Sequence, residues 1–491
     1  MRRRQLDQKV AVAVVYVAAM FMAIMDTTIV NVALSTVGRH FHVSNDGVDA
    51  VSIGYLVSLG AFIPISGWLG DRLGGRRTLL GAIAIFVVAS ALCGLSTSFG
   101  ELVVFRVLQG VGGGLMTPVG LAMLFRVFPP AERVRASSIL VLPTAVAPAL
   151  GPVLGGLFTT DVSWRWVFYV NVPIGVATLI FGFVFLSDHV QPGTTRLDIG
   201  GFLLSGAGVG LAMYGVSEGP LKGWSSADVL ATALAGVALL VGFLAYERHH
   251  RNPLIDLSLF ANRLFRSTTS VMVVGSVAFL GTLYLVALFF QNALGMSALR
   301  AGLTIFPEAL GVMLGSQVVS RVLYPRFGPR RLLAGGLLTI AVSMVLLTQT
   351  GPATSEWLIR LDMLLLGYGM SHVFLPSQAA SFTTISPVRT SGASVIFNAT
   401  RQLGGAIGVA LVTAVVAQGP THHMGSTLAP TLTAYRYGFI AAAIVAVAGA
   451  AVALTVNDAD AAPTMVRKTH APESGHVQQP EVVAEAVPAS D

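Results

Sequence analysis

Long apolar stretches follow one another along most of this chain, separated by short polar turns that carry arginine. A bilayer core about 30 Å thick takes roughly 20 residues of α-helix, and uncharged runs of that length recur from residue 11 almost to residue 455. They predict fourteen spans, at 11–36, 47–70, 78–97, 102–124, 136–159, 167–187, 199–217, 228–246, 268–290, 300–322, 331–350, 357–380, 393–417 and 434–455. The opening MRRRQLDQK and its apolar run look like a signal peptide, but the run is too long and no small-residue cleavage site follows. It reads as a retained first span behind a short N-terminus, residues 1–10. From 457 to 491 the chain turns to Ala, Pro, Glu, Gln and Ser with almost no aromatic residues, which predicts a disordered tail.

Composition agrees. The chain has 491 residues, 54% hydrophobic and only 11% charged, with a mean hydropathy of +0.75, whereas soluble domains carry about 25% charged residues. The expected class is an all-α polytopic membrane protein. The net charge of +7 comes from arginines in turns, not from a basic face with interleaved aromatics, so no nucleic-acid partner is expected. Positive charge in short loops sets orientation. Arg72, Arg76, Arg77, Arg126, Arg133, Arg135 and the arginines at both ends of the chain fall on one side. Both termini are therefore expected in the cytoplasm. The single cysteine, Cys93, lies within a span, which leaves no intramolecular disulfide and no Cys-based metal site.

The turn after span 2, GWLGDRLGGRR at 67–77, concentrates charge in an otherwise uncharged region. Its glycines permit close approach and a sharp turn, and Asp71 with Arg72 supplies a fixed charge pair that could clasp one helix bundle to another. Here the chain resembles the major facilitator superfamily, whose signature in this loop it matches at Gly67, Leu69, Asp71, Arg72, Gly74, Arg76 and Arg77, with a degenerate copy, SRVLYPRFGPRRLL, at 320–333. The resemblance implies a major facilitator fold of two six-helix bundles, at 11–187 and 268–455, with the clasp holding them together on the cytoplasmic side. The superfamily's plan has twelve helices, so spans 7 and 8, at 199–246, are read as an extra pair.

Other stretches are similar to the fourteen-span drug:proton antiporter family. MDTTIVNVAL at 25–34 places Asp26 and Asn31 in span 1, although Ser35 stands where that family usually has Pro. FRVLQGVGGGLMTP at 105–118 puts Arg106 on one helical face with Gln109 and Gly110 and resembles the superfamily's proton-transfer motif. APALGPVLGG at 147–156, with Gly151, Pro152, Gly155 and Gly156, matches the antiporter motif seen mainly in exporters. Small residues four apart also suit a plain close helix contact. WRWVFYVNVPIG at 164–175 and NATRQLGGAIGVAL at 398–411 extend the likeness into both halves. The start of span 2, VDAVSIGY, departs from it, with Asp49 and Ala50 near where relatives carry Gln-Trp.

A charge within hydrocarbon costs about 2.5–3.5 kcal/mol on insertion scales, so each is a functional candidate. Asp26, Arg106, Glu308, Asp362 and Arg401 qualify, with His372 as a titratable addition. Burial raises a carboxylate's pKa and a neighbouring arginine lowers it again, so an acid whose surroundings change can take a proton from one side and release it to the other. Asp26 with Arg106 is the expected proton-coupling site; a static ion pair that aids packing is the alternative. Glu308 or Asp362 would attract a cation or hold a second proton. Asp362 could instead pair with Arg360 at the surface, and His372 could be a satisfied polar contact rather than a relay. Arg401 is expected to bind a carbonyl or an acid, since it cannot deprotonate.

These readings predict a bacterial inner-membrane antiporter that exports amphipathic, cationic drugs or toxic compounds by alternating access, with small lipophilic molecules and protons as its partners in the bilayer. No cofactor or metal is expected: no GxxxxGK[ST] occurs, so the proton gradient rather than ATP would drive it. No HExxH or Ser/His pairing suggests an enzyme. A dedicated exporter of one endogenous metabolite, antibiotic, lipid or siderophore is the alternative. Where a second membrane is present, a periplasmic adaptor would extend the path.

Overall fold

The computed structural model describes residues 6–187, 197–250, 253–424 and 427–465. Each of the fourteen expected segments holds a helix: α1 (Gln8–Phe41), α2 (Ala50–Leu73), α3 (Gly75–Leu95), α4 (Phe99–Val127), α5 (Arg133–Leu157), α6 (Asn171–Phe185), α7 (Ile199–Lys222), α8 (Ala227–Glu247), α9 (Arg263–Leu288), α10 (Pro307–Val318), α11 (Tyr324–Thr348), α12 (Glu356–Ser381), α13 (Thr390–Ala417) and α14 (Leu432–Ala453). Among the described residues, twelve helical stretches are long and apolar enough to cross a membrane. One of them, Arg300–Thr348, runs through both α10 and α11.

The helices begin where the chain supplies acceptors for their free N–H groups. Asp7 caps α1, Ser98 and Glu101 form a capping box on α4, and Asn262 and Thr431 cap α9 and α14. Between α2 and α3 the backbone reverses at Gly74, where φ is 90°. The degenerate second copy of that turn bends at Gly328, φ 69°, inside α11. The same device thus serves both copies: a residue without Cβ takes the left-handed conformation.

Helices α1–α6 pack on one another, as do α9–α14. Helices α7 and α8 pair and lie against the seam, where α7 touches both α2 and α13. Where α7 meets α2, Gly60 sits beneath Val209 and Met213 and the Phe62 ring meets Phe202 at 5.4 Å. The exterior is apolar, with Val88, Ile180, Leu234 and Ile444 among many exposed large side chains, while Asp26, Arg106 and Asn171 are buried. That inversion is what a multi-pass membrane protein requires, because lipid covers the outside and backbone polar groups are satisfied within helices.

An antiparallel hairpin, β1 (Thr421–Met424) and β2 (Thr427–Pro430), joins α13 to α14 of this helical protein. One expectation needs amending. The disordered tail does not begin at 457. Asp458 Oδ1 accepts the Arg330 N–H at 2.8 Å, Thr464 Oγ1 meets the Tyr324 hydroxyl at 2.8 Å, and Val456, Ala461 and Thr464 are buried. The turn Ala462–Thr464 also packs on Pro130–Glu132 between α4 and α5. Composition averaged over the segment concealed a short stretch with its own caps and apolar anchors. Residues 466–491 of the expected tail, and Arg2, Arg3 and Arg4, lie outside the described residues.

Candidate functional site

Asp26 of α1 is 0% exposed and Arg106 of α4 1%. Arg106 Nη1 donates to Asp26 Oδ2 at 2.5 Å and to Gln109 Oε1 at 2.8 Å. Gln109 Nε2 donates to Asp26 Oδ1 at 2.8 Å, one helical turn along the same face of α4. The two expected partners and Gln109 therefore form one cluster. Two members were not anticipated. Asn171, at the start of α6, donates to Asp26 Oδ1 at 3.2 Å and to Ser90 Oγ of α3 at 3.2 Å, and Ser90 in turn donates to the Phe168 carbonyl at 2.9 Å. Asn171 was visible as the one amide in WRWVFYVNVPIG, well inside the apolar run that follows Arg165, whereas a serine in a transmembrane run gives no such signal.

The remaining faces of Arg106 are also occupied. Its Nε donates to the Val51 carbonyl at 3.1 Å, and its guanidinium carbon lies 4.2 Å from the centre of the Tyr55 ring. Both Asp26 oxygens thus face N–H donors drawn from two further helices. Removing one partner of such a buried pair costs about 3–5 kcal/mol, because the other charge is stranded.

Glycines bring the helices close enough for this cluster to form. A Cβ on Gly110 would stand 2.4 Å from the Tyr55 carbonyl oxygen, and one on Gly114 2.3 Å from that of Leu59, so the glycine run of α4 seats α2. In the antiporter motif, a Cβ on Gly151 would meet Thr28 Oγ1 at 2.1 Å and one on Gly155 the Ile29 carbonyl oxygen at 3.0 Å. Helix α5 therefore grips α1 two to three residues from Asp26. Gly156 has nothing within 4 Å and takes no part in that grip. Pro152 continues the same helix.

At the Arg-rich end the clasp is rewired relative to expectation. Asp71 pairs not with Arg72 but with Arg126 of α4, at 2.8 Å. Ser391, in the first turn of α13, donates to Asp71 at 2.7 Å and accepts from Arg126 at 2.7 Å. Adjacent residues on a helix point in different directions, so Arg72 swings away onto the Trp68 ring at 5.4 Å. Arg76 donates to the Phe183 carbonyl at 2.7 Å, and Arg77 sits in the first turn of α3. Gly67 lies against α13, where a Cβ would come within 2.9 Å of Val395 Cγ2. Around this triad, Ser394 Oγ donates to the Pro118 carbonyl at 2.7 Å, Arg133 donates to that of Phe382, and the Phe125 and Phe382 rings meet at 4.6 Å. The two six-helix groups are joined at this end.

The other intramembrane charges are scattered. The Glu308 carboxylate, half-buried on α10, has no hydrogen-bond or ion-pair partner among the described residues, while a Cβ on Gly367 would lie 1.9 Å from the Glu308 backbone carbonyl. Asp362 is 7% exposed, and both its carboxylate oxygens are buried without a hydrogen-bond partner among the described residues. Arg360 turns instead to Glu356 at 2.9 Å, so the surface pairing considered for Asp362 does not form. His372 Nδ1 lies 2.8 Å from the Tyr368 carbonyl oxygen, with its ring against Tyr368, an arrangement of a local polar contact. Arg401 of α13 is half-buried. Asn31, near the opposite end of α1, accepts from Ser52 of α2 at 2.9 Å.

Comparisons with known proteins bear on this arrangement. Residues 16–409 match the family model of the Major Facilitator Superfamily. The chain is 31% identical over 433 residues to the Uncharacterized MFS-type transporter YhcA of Bacillus subtilis, covering 88% of this chain and 81% of that one. It is 31% identical over 406 residues to the Multidrug resistance protein B homolog of Mycobacterium tuberculosis, at 82% and 75% coverage. A third relative, at 32% identity over 419 residues with 85% and 77% covered, is the Tetracenomycin C resistance and export protein of Streptomyces glaucescens. The crystal structure of the human organic anion transporter MFSD10 shares the fold, with a TM-score of 0.67 and 15% identity over 91% of this chain and all of that one. With its helical fold and the superfamily's loop signature seated at the seam between two helix groups, the chain belongs to the Major Facilitator Superfamily and is a multi-pass membrane transporter.

Proposed function

We propose that this transporter exports amphipathic, cationic compounds from the cytoplasm in exchange for protons, by alternating access, with the Arg-rich end and both termini on the cytoplasmic side of a bacterial inner membrane. Two relatives that carry resistance or export in their names support export as the direction. The observation that carries the proton coupling is the Asp26 cluster, in which three donor groups converge on one buried carboxylate. A proton on Asp26 cancels the charge that holds Arg106 and places an O–H among N–H donors. Protonation and the present packing of α1 against α4 therefore exclude one another.

That exclusion supplies the coupling. With Asp26 charged, α1, α3, α4 and α6 are drawn together; with Asp26 neutral, Arg106 retains Gln109, the Val51 carbonyl and the Tyr55 and Phe168 rings, and the cluster loosens. Because α5 grips α1 beside Asp26 and also packs on α10 and α12 of the other half, a shift of α1 reaches the seam. Each proton crossing 100 mV contributes about 2.3 kcal/mol. Glu308, on α10, is the side chain that attracts the cation, since a half-buried carboxylate without a partner is stabilised by any positive charge that approaches it. Asp362, enclosed between α11 and α12, holds a second proton.

A fluorescent lipophilic cation added outside everted vesicles tests this reading. Wild type should accumulate the dye when an inward-acid gradient is imposed, and Glu308→Gln should lose cation transport while keeping proton flux with an uncharged substrate. Failure of wild type to move any cation would rule out the cationic substrate class. A single-substrate exporter is then favoured, the reading to which the relative named for tetracenomycin C points.

A further inference from the structure

Away from the seam, a cavity of about 860 Å³ opens between α2, α4 and α7, in the half of the protein opposite the Arg-rich end. Its position follows from packing. Helix α7 is held against α2 by Gly60 under Val209 and Met213, and Gly210 approaches Val57 closely, with a Cβ reaching Val57 Cγ1 at 3.3 Å. Beyond that contact the two helices part. The wedge left between them is walled by Ile53, Gly54, Val103 and Ala207, so the wall is apolar and shallow-sided. On the α4 side its rim continues into exposed Val104 and Val107, at 63% and 41% exposure, and on the α7 side into exposed Tyr214. Apolar rims of this kind lie in hydrocarbon, and the wedge therefore opens to the bilayer.

Its far end is different. Glu218 and Lys222, one turn apart on α7, form an ion pair of 2.9 Å at the mouth, with Lys222 Nζ 5.9 Å from the Tyr214 ring. The Trp224 ring lies on Gly219, beside the pair. Trp and Tyr gather at the depth of lipid headgroups, which places both charges at that level. A lysine that donates and a carboxylate that accepts, side by side over an apolar slot, complement a molecule with hydrocarbon below and a phosphate and an ammonium above.

We propose that this wedge is a binding site for a zwitterionic, amine-bearing phospholipid of the leaflet opposite the Arg-rich end, with its phosphate at Lys222, its ammonium at Glu218 and an acyl chain between α2 and α7. The site is separate from the transport pathway proposed above and does not depend on it. Its occupant fills the gap between the extra helix pair and the six-helix group that α2 belongs to. Lipid binding there braces α7 against α2.

Native mass spectrometry of the full chain, delipidated and titrated with phosphatidylethanolamine or phosphatidylglycerol, tests the assignment. Wild type should retain phosphatidylethanolamine in preference to phosphatidylglycerol. Ala207→Phe, which places a ring in the slot, should lower retention of both lipids by about tenfold, whereas Val237→Phe on the exposed face of α8 should change neither. Glu218→Gln should abolish the preference with phosphatidylethanolamine retention reduced roughly two- to fivefold, the range expected of an ion pair whose lysine is exposed. Should Ala207→Phe fail to purify as a monodisperse protein, Lys222→Gln serves instead, with a like loss expected for both phosphates. Equal retention of the two lipids by wild type, or displacement of the lipid by tetraphenylphosphonium, would overturn the proposal; the second result would make the wedge an entry point for substrate.

Discussion

Replacing Asp71 by Asn removes one charge from the triad that ties α2 and α4 to α13 while keeping the shape of the side chain. In the wild type Asp71 accepts from Arg126 at 2.8 Å and from Ser391 at 2.7 Å, and its side chain is 25% exposed. A fully exposed pair would be worth less than about 1 kcal/mol, but charge-assisted hydrogen bonds with partial burial contribute about 1.5–3 kcal/mol. Asp71 and Arg126 both belong to the first six-helix group and stay paired on opening, so only the two bonds of Ser391 favour the closed state. Asp71→Asn turns the Ser391–Asp71 bond from charge-assisted to neutral, a loss of about 1 kcal/mol. The ratio of closed to open molecules should therefore fall by roughly fivefold. Spin labels on cysteines placed at Ser187 and Val388, exposed positions on either side of the seam, report the change as a longer distance component in pulsed dipolar spectroscopy. Cys93 is fully buried and needs no removal. Ser391→Ala removes both bonds across the seam and should produce a larger shift of the same sign. If Asp71→Asn and Arg126→Gln both leave the distance distribution as in wild type, the triad does not hold the halves together.

Three further outcomes follow from the packing. Asn171→Ala removes donors to Asp26 and to Ser90 in a buried site, and should cost about 1–3 kcal/mol, seen as a lower melting temperature in detergent. Gly151→Val should destabilise by at least about 1–3 kcal/mol through its clash with Thr28, while Gly156→Ala, which meets nothing within 4 Å, should be neutral; comparing thermal unfolding of the two separates a packing role from a motif role. Gly328→Ala must adopt φ 69° and presses on Asp458, so it should cost about 1–2 kcal/mol and increase proteolysis after Val456.

Hydropathy made the helices legible because lipid imposes one length and one composition on each of them. The partners across helices were less so. Arg106 and Gln109 could be read together since they share a helical face, and Asp26 because a carboxylate in hydrocarbon demands a cation. Arg126 could not be matched to Asp71 from the chain alone: the pair lies 55 residues apart, and the adjacent Arg72 is the obvious local candidate. Ser391 is 320 residues from Asp71, and an ordinary serine carries no signal of its contact. The buried, unpartnered oxygens of Asp362 show the same limit from the other side, since pairing with Arg360 depended on which way two neighbouring side chains point. The ordered stretch around Asp458 was hidden by the low-complexity sequence that follows it.

The central claim is that Asp26 carries the coupled proton, and it is tested most directly by comparing two modes of transport in the same proteoliposomes. Exchange of labelled for unlabelled substrate across the membrane needs only alternating access, whereas uphill accumulation needs the proton. Asp26→Asn keeps hydrogen bonds from Gln109 and Asn171 available and cannot titrate. It should retain exchange within a few-fold of wild type and lose accumulation driven by an imposed proton gradient. Accumulation by Asp26→Asn at the wild-type level would contradict the account and leave the Asp26–Arg106 pair as a static support.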